Sequence, residues 1–148
     1  MMRSLSIFFL VTLGTFIIDQ GIKELFVEGY YLEGSCINLE LHYNKGVAFS
    51  MFAFLGDYLK WIQILLVIVV LGVVFYEGYL KKYAFAIGLI VGGALGNIYD
   101  RFHHEGVVDY VAWHCGFNFA VFNYADVMID LGVGILLLLS FLEKPKSQ

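Results

Sequence analysis

Four stretches of this chain, at about residues 4–26, 58–76, 83–98 and 124–142, are apolar and long enough to cross a bilayer, and that pattern restricts the fold more than any other feature. A spanning helix needs about 20 mostly apolar residues to cover a hydrocarbon core of about 30 Å. Composition agrees: 60% of the 148 residues are apolar and 15% are charged, against about 45–50% and 25% in soluble domains. The expectation is an all-α membrane protein, a single integral domain over residues 1–148 with four transmembrane helices. The first apolar run, residues 6–16, has no small-x-small cleavage site after it, so it is expected to be retained as the first helix.

The flanking charges set the orientation. Arg3 precedes the first span, Lys81 and Lys82 sit in the short connection between the second and third, and Lys144 and Lys146 follow the fourth. Basic residues favour the cytoplasmic side, so both termini are expected inside. The two long connections, about residues 27–57 and 100–123, then lie outside. The first contains Ile37-Asn38-Leu39-Glu40-Leu41-His42-Tyr43, whose period-two alternation suits a strand, so a small extracytoplasmic β-sheet and an outer-side loop or short helix are expected. Tyr30, Tyr31, Tyr58, Trp61, Trp113 and Tyr124 fall near span ends, at headgroup depth. No basic patch suggests a nucleic-acid partner. Cys36 and Cys115 are too few for a zinc motif or a disulfide framework; a bridge between them is not the expected arrangement and would require both to face an oxidising compartment.

A charge inside a span costs at least about 2.5–3.5 kcal/mol at its centre, so each polar residue there needs a reason. Asp19, Gln20 and Lys23 lie late in the first span, Asn97, Asp100 and Arg101 at the end of the third, and Asn123, Asp126 and Asp130 at the start of the fourth. With the orientation above, all of them reach the outer leaflet. Asp19 and Lys23 have the spacing of an ion pair on one helix face. Asp100 and Arg101 are read as structural, Arg101 capping its helix toward lipid phosphate or a carboxylate. Gly92-Gly93-Ala94-Leu95-Gly96 is a small-residue surface for close helix approach.

Asp109 and Asp126 differ in kind. Asp109 lies in the apolar outer-loop sequence Gly106-Val107-Val108-Asp109-Tyr110, and Asp126 in the first turn of the last span. Two carboxylates brought together share a proton, one acting as acid and the other as base. Such a pair can activate water against a peptide carbonyl without a metal or a covalent intermediate. The bland alternatives are a helix-start carboxylate for Asp126 and a solvated loop acid for Asp109. A metal site on His103, His104, Glu105 and His114 lacks ligand spacing. Ser50 and Cys115 lack a recognisable base. No metal and no cofactor is therefore expected.

These residues together resemble the lipoprotein signal peptidase (signal peptidase II) family. The pattern is carried by Asp19-Gln20-x-x-Lys23, Asn44-x-Gly46-x-Ala48-Phe49-Ser50, Gly92-Gly93-Ala94-Leu95-Gly96-Asn97-x-x-Asp100-Arg101, Val107-Val108-Asp109 and Phe122-Asn123-x-Ala125-Asp126, in order over nearly the whole chain. The resemblance implies a membrane-embedded aspartic endopeptidase that cleaves diacylglyceryl-modified prolipoproteins just before the lipid-modified cysteine. It implies Asp109 and Asp126 as the catalytic pair and Asn44, Gly46, Asn97, Arg101 and Asn123 as a substrate-binding shell. Asp19, Gln20, Lys23 and Asp100 would be framework. It further implies a multi-pass protein of the bacterial cytoplasmic membrane, acting as a monomer among membrane lipids at the outer, periplasmic leaflet and inhibited by globomycin. Val47, Val127 and Asp130 depart from the family's usual residues. The alternative from another class is a small proton-coupled transporter or channel using the same carboxylates; the absence of ionisable groups from residues 64–74 and 132–139 argues against it.

Overall fold

The computed structural model describes residues 2–46 and 51–142. Helix α1 (Met2–Val27) leads to strand β1 (Ile37–Asn44), a one-turn 3-10 helix (Ala53–Leu55), helices α2 (Tyr58–Tyr76) and α3 (Leu80–His103), strand β2 (Val107–Trp113) and helix α4 (Tyr124–Leu142). All four helices are long and apolar enough to cross a membrane. Of the motif at residues 44–50, Val47, Ala48, Phe49 and Ser50 lie outside the described residues, as do Lys144, Pro145 and Lys146.

The helices surround α3. In its most apolar stretch 67% of the residues are buried, against 17% for α1 and 11% each for α2 and α4, which makes α3 the axis and leaves the others facing lipid. Its small residues explain why. A side chain at Gly92 would meet the Thr12 carbonyl oxygen at 2.7 Å, and one at Gly93 the Ala125 carbonyl oxygen at 2.6 Å. One at Gly96 would collide with the Asp19 carboxylate. Glycine therefore lets α1 and α4 approach α3 to backbone contact on two sides, as small-residue interfaces do within bilayers. At the opposite end from the sheet, Phe8, Val74, Leu80, Ala84, Ile87 and Val91 form an apolar cluster.

Two expectations are corrected here. The third span runs from Leu80 to His103, not 83 to 98, so Lys81 and Lys82 lie in its first turn and Asp100 and Arg101 on the helix itself. The Glu77-Gly78-Tyr79 corner is tight enough to reverse the chain because Gly78 takes φ 69°, and Tyr83, at φ −113° and ψ 17°, kinks the helix just beyond. Asp109, expected in a loop, lies in β2.

β1 and β2 form a two-stranded antiparallel sheet. Ile37 pairs with Trp113 and Leu39 with Val111; after an irregularity between Leu39 and His42, His42 pairs with Asp109 and Asn44 with Val107. The partner numbers sum to 150 before the irregularity and 151 after it, so β1 carries one extra residue, the signature of a bulge. Without it Asn44 would fall on the opposite face from Asp109; with it the two share a face as diagonal neighbours. Cys36 and Cys115, 79 residues apart, are disulfide-bonded at the far end of the sheet, contrary to the expectation for this pair.

Candidate active site

The site begins with a buried charge cluster between α1 and α3. Lys23 Nζ lies 2.7 Å from both Asp19 and Asp100 and donates to Asn97 Oδ1 at 2.9 Å, which occupies all three ammonium protons. Gln20 Nε2 donates to Asp19 at 3.1 Å and Asp100 at 3.0 Å. Both carboxylates also accept backbone N–H groups: Asp19 Oδ1 that of Ala125 at 3.0 Å, and Asp100 Oδ2, the oxygen that meets Lys23, that of Val108 at 3.0 Å. Asp19 and Asp100 are 0% exposed and Lys23 2%, so pairing and hydrogen bonding offset a desolvation that would otherwise be prohibitive. The cluster has a geometric effect: it ties α1 and α3 to the first turn of α4 and to β2, the two elements that carry Asp126 and Asp109.

Asn97 extends the network from this cluster. Its oxygen accepts from Lys23 and from Asn123 Nδ2 (3.1 Å), and its Nδ2 donates to Asp126 Oδ1 at 2.8 Å. Asn123 caps α4: its Oδ1 accepts the Asp126 N–H at 2.9 Å, while Asp126 Oδ2 accepts the Asn123 N–H at 3.2 Å. This reciprocal pair is a capping box, so Asp126 fulfils the helix-start role weighed for it and also points a carboxylate into the site. Asn123 Nδ2 donates to Asp109 Oδ1 at 2.7 Å, and Asn44 Nδ2 to Asp109 Oδ2 at 3.0 Å. Each carboxylate thus receives two N–H donors, and Asn97 and Asn123 join them into one network. Tyr110 stacks on Phe26 at 4.2 Å and its hydroxyl accepts the Tyr124 N–H, which fixes β2 against α1 and α4.

Asp109 and Asp126 line one cavity of about 480 Å³ with Asn44, Gly46, Asn97 and Arg101. Asp109 is 2% exposed, not the solvated acid that its flanking sequence allows. Burial, first, and the neighbouring charge of Asp126, second, raise its pKa to about 7, while hydrogen bonds from Asn44 and Asn123 work the other way. Arg101 donates from Nη2 to the Gly46 carbonyl oxygen, holding the chain after β1 against α3. A second, apolar cavity of about 240 Å³ between α2 and α3 shares Gln63, Asn97 and Ile129 with the first.

The histidines go elsewhere. His103 stacks on Tyr99 at 3.9 Å, His104 on Tyr43 at 5.9 Å, and His114 lies 3.2 Å from Asn38. Among the described residues no three metal-ligating side chains converge. Cys115 is consumed by the disulfide, and Ser50 lies outside the described residues. Sequence reasoning passed over Gln63, although a lone amide in the apolar middle of a span is a signal of the same kind as the charges that were noticed.

A profile for the family described as signal peptidase (SPase) II matches residues 11–142. The chain is 66% identical over 146 residues to the lipoprotein signal peptidase of Sulfurovum sp. (strain NBC37-1), covering 99% of this chain and 100% of that one. It is 46% identical to the lipoprotein signal peptidase of Helicobacter pylori (strain ATCC 700392 / 26695), with 98% and 93% covered. A solved bacterial membrane enzyme, determined by the in meso method at 2.3 Å resolution, is similar in structure at a TM-score of 0.78 and 26% identity, over 95% of this chain and 93% of that one.

Proposed function

The chain belongs to the signal peptidase II family, a family of peptidases, and from that premise we propose that it is an aspartic endopeptidase acting on diacylglyceryl-modified prolipoproteins just before the lipid-modified cysteine. The observation that carries the reading is the joint one: Asp109 and Asp126 line one cavity at the end of the membrane-spanning bundle, each held by two N–H donors from a shared asparagine network. Like charges in one site cannot both ionise readily, so the pair shares a proton, which we assign to Asp109, whose pKa burial and the neighbouring Asp126 push up to about 7, and Asp126 acts as the carboxylate. Asp126 accepts a proton from water as the oxygen attacks the scissile carbonyl carbon, and Asp109 donates its proton to the developing oxyanion. The leaving nitrogen takes a proton from Asp126 as the C–N bond breaks, and Asp109 recovers its own as the new carboxylic acid forms. Every proton is returned without a metal.

Asn44, Gly46, Asn97, Arg101 and Asn123 are assigned to holding the peptide backbone and the dyad, and Asp19, Gln20, Lys23 and Asp100 to the framework. The whole chain is read as one domain, with the site at the outer leaflet of the bacterial cytoplasmic membrane and both termini in the cytoplasm. The disulfide supports that sidedness, because a persistent Cys36–Cys115 bridge belongs in an oxidising compartment, and the sheet that carries it also carries Asp109. The same cavity is the expected seat of globomycin. A proton-coupled transporter is the weaker reading: residues 64–74 of α2 and 132–139 of α4 have no ionisable side chain to continue a relay.

Cleavage of a diacylglyceryl-modified prolipoprotein in detergent tests the dyad. Asp109→Asn and Asp126→Asn each are expected to lower kcat by at least about 100-fold, the scale of one general acid or base, and a chelator to leave the wild type unchanged. Cleavage by either variant at the wild-type rate would remove that residue from the mechanism.

A further inference from the structure

Between β2 and α4 the chain makes a return that the dyad network does not explain. β2 ends at Trp113, the chain turns back at Gly116, which takes φ 80°, and residues 119–122 run beside β2. The Phe119 N–H donates to the Trp113 carbonyl oxygen at 3.0 Å, and Phe122 exchanges backbone hydrogen bonds with Val111 at 2.9 and 3.2 Å. Phe122 also accepts the Tyr110 N–H at 3.1 Å, so the end that leads into Asn123 is pinned three times. The rest is held less well: residues 115–119 are all exposed, and among the described residues Ala120 and Val121 make no backbone hydrogen bond. Yet Phe119, Ala120 and Val121 line the dyad cavity, and also a further cavity of about 260 Å³ whose opposite wall is His42, Tyr43 and Asn44 of β1.

The two walls are joined covalently at one end. β1 begins at Ile37, directly after Cys36, and the return begins directly after Cys115, to which Cys36 is bonded. Beside the bridge the Cys36 carbonyl oxygen accepts the His114 N–H at 2.9 Å, and the His114 ring lies 3.2 Å from Asn38; both are polar contacts for which water competes. An exposed wall without packing of its own keeps its place through its anchors, and the bridge is the strongest of them. We propose that Cys36 and Cys115 are positioning residues for substrate binding: their bond fixes the wall at residues 116–121 against β1, and affinity for the substrate falls when the bond opens. The binding role rests on the peptidase reading above. The bond forms by thiol–disulfide exchange with a disulfide of the oxidising compartment. One cysteine displaces a sulfur of that disulfide, the other completes the bridge by displacing the second, and the partner leaves as a dithiol carrying the two electrons and two protons. The wall is therefore completed only on the exported side of the membrane.

The test compares three forms of the full chain in detergent on one lipid-modified peptide, below the melting temperature of each: oxidised wild type, wild type reduced with dithiothreitol, and Cys36→Ser/Cys115→Ser. Reduction is expected to raise KM about fivefold, the scale of one lost hydrogen bond. It should leave kcat nearly unchanged, because the pinned Phe122 keeps Asn123 and the dyad in place. The serine form should show the raised KM without reductant, and reoxidation should restore the wild-type value. A bridge that only stabilised the fold would lower the active fraction, and with it kcat, while KM stayed where it was. A second readout needs no substrate: chymotrypsin should cut after Phe117 or Phe119 at least about fivefold faster once the bridge is open, as exposed loop tips are cut when freed. An unchanged KM in the reduced or the serine form, or equal digestion of oxidised and reduced chains, overturns the proposal and leaves the peptidase standing. If the oxidised wild type does not cut the peptide at all, the peptidase reading itself fails and the binding role falls with it.

Discussion

At the scale of single residues, two groups set what the site can do and what keeps it in place. Asp109 binds its proton more tightly in the folded chain than in the unfolded one, because burial and the Asp126 charge raise its pKa from the ordinary carboxylate range to about 7. Its contribution to stability is therefore full below about pH 4 and is lost as pH rises through about 7. In the proposed mechanism the same proton serves catalysis, so kcat/KM for a lipidated peptide should fall on the alkaline side with an apparent pKa near 7. The Asn44 amide opposes the rise by donating to the Asp109 carboxylate; Asn44→Ala should move that limb to higher pH, as a pH–rate profile of the two proteins would register. Lys23 works by a different route. It is the cation between two buried acids, and Lys23→Met would leave Asp19 and Asp100 facing each other with no countercharge. Breaking a buried pair in this way costs about 3–5 kcal/mol, and a thermal melt in detergent should show a marked drop in Tm even though residue 23 touches neither Asp109 nor Asp126.

At the scale of elements, the sheet is the part of the molecule least able to stand alone, since an isolated two-stranded ribbon is marginal in water. Among the contacts that hold it are the Tyr110–Phe26 stack against α1, the Asp100 carboxylate accepting the Val108 N–H, and the disulfide at its far end. With its ends 79 residues apart, the bridge removes enough unfolded-chain freedom to contribute up to about 4.5 kcal/mol in the chain-entropy account. Replacing Cys36 and Cys115 together by serine, or adding reductant, should lower Tm, and the loss should be the same by either route because both break one bond. The sequence made some of these elements legible and hid others. The four spans and β1 were readable because hydrophobic length and period-two alternation are local properties, and the polar residues of α1, α3 and α4 were readable because charge in a span is costly wherever it occurs. The β2 placement of Asp109, the bulge that aims Asn44 at it, and the Cys36–Cys115 pairing depend on which segment lies beside which. No short window of sequence contains that information. Gln63 is a different omission: its signal was local, and an uncharged amide among leucines and valines drew less notice than a charge.

At the scale of the whole molecule, the bundle is polar at one end and apolar at the other. Helix α2 runs from Tyr58 to Tyr76, about 28 Å at 1.5 Å per residue, which matches a hydrocarbon core of about 30 Å. Tyr58 and Trp61 mark the end nearer the sheet, and Tyr76, Tyr79 and Tyr83 the other, as interfacial rings do. The charges divide in the same way, with Arg3, Lys81 and Lys82 at the apolar end and the acids and amides of the site at the sheet end. A chain built so should insert in one orientation, basic end inward. That orientation is what the proposed reaction requires, since a prolipoprotein presents its lipid-modified cysteine on the side to which it has been exported. Two exposed positions report it: Asp57, 93% exposed at the sheet end, and Glu77 in the corner between α2 and α3. The native cysteines are bonded to each other, so a membrane-impermeant maleimide should label only an introduced thiol. In spheroplasts Asp57→Cys should react at once and Glu77→Cys only after the membrane is broken. The reverse pattern would place the dyad, the sheet and the disulfide in the reducing cytoplasm, out of reach of an exported substrate, and the assignment of the site to lipoprotein processing would have to be abandoned along with the orientation.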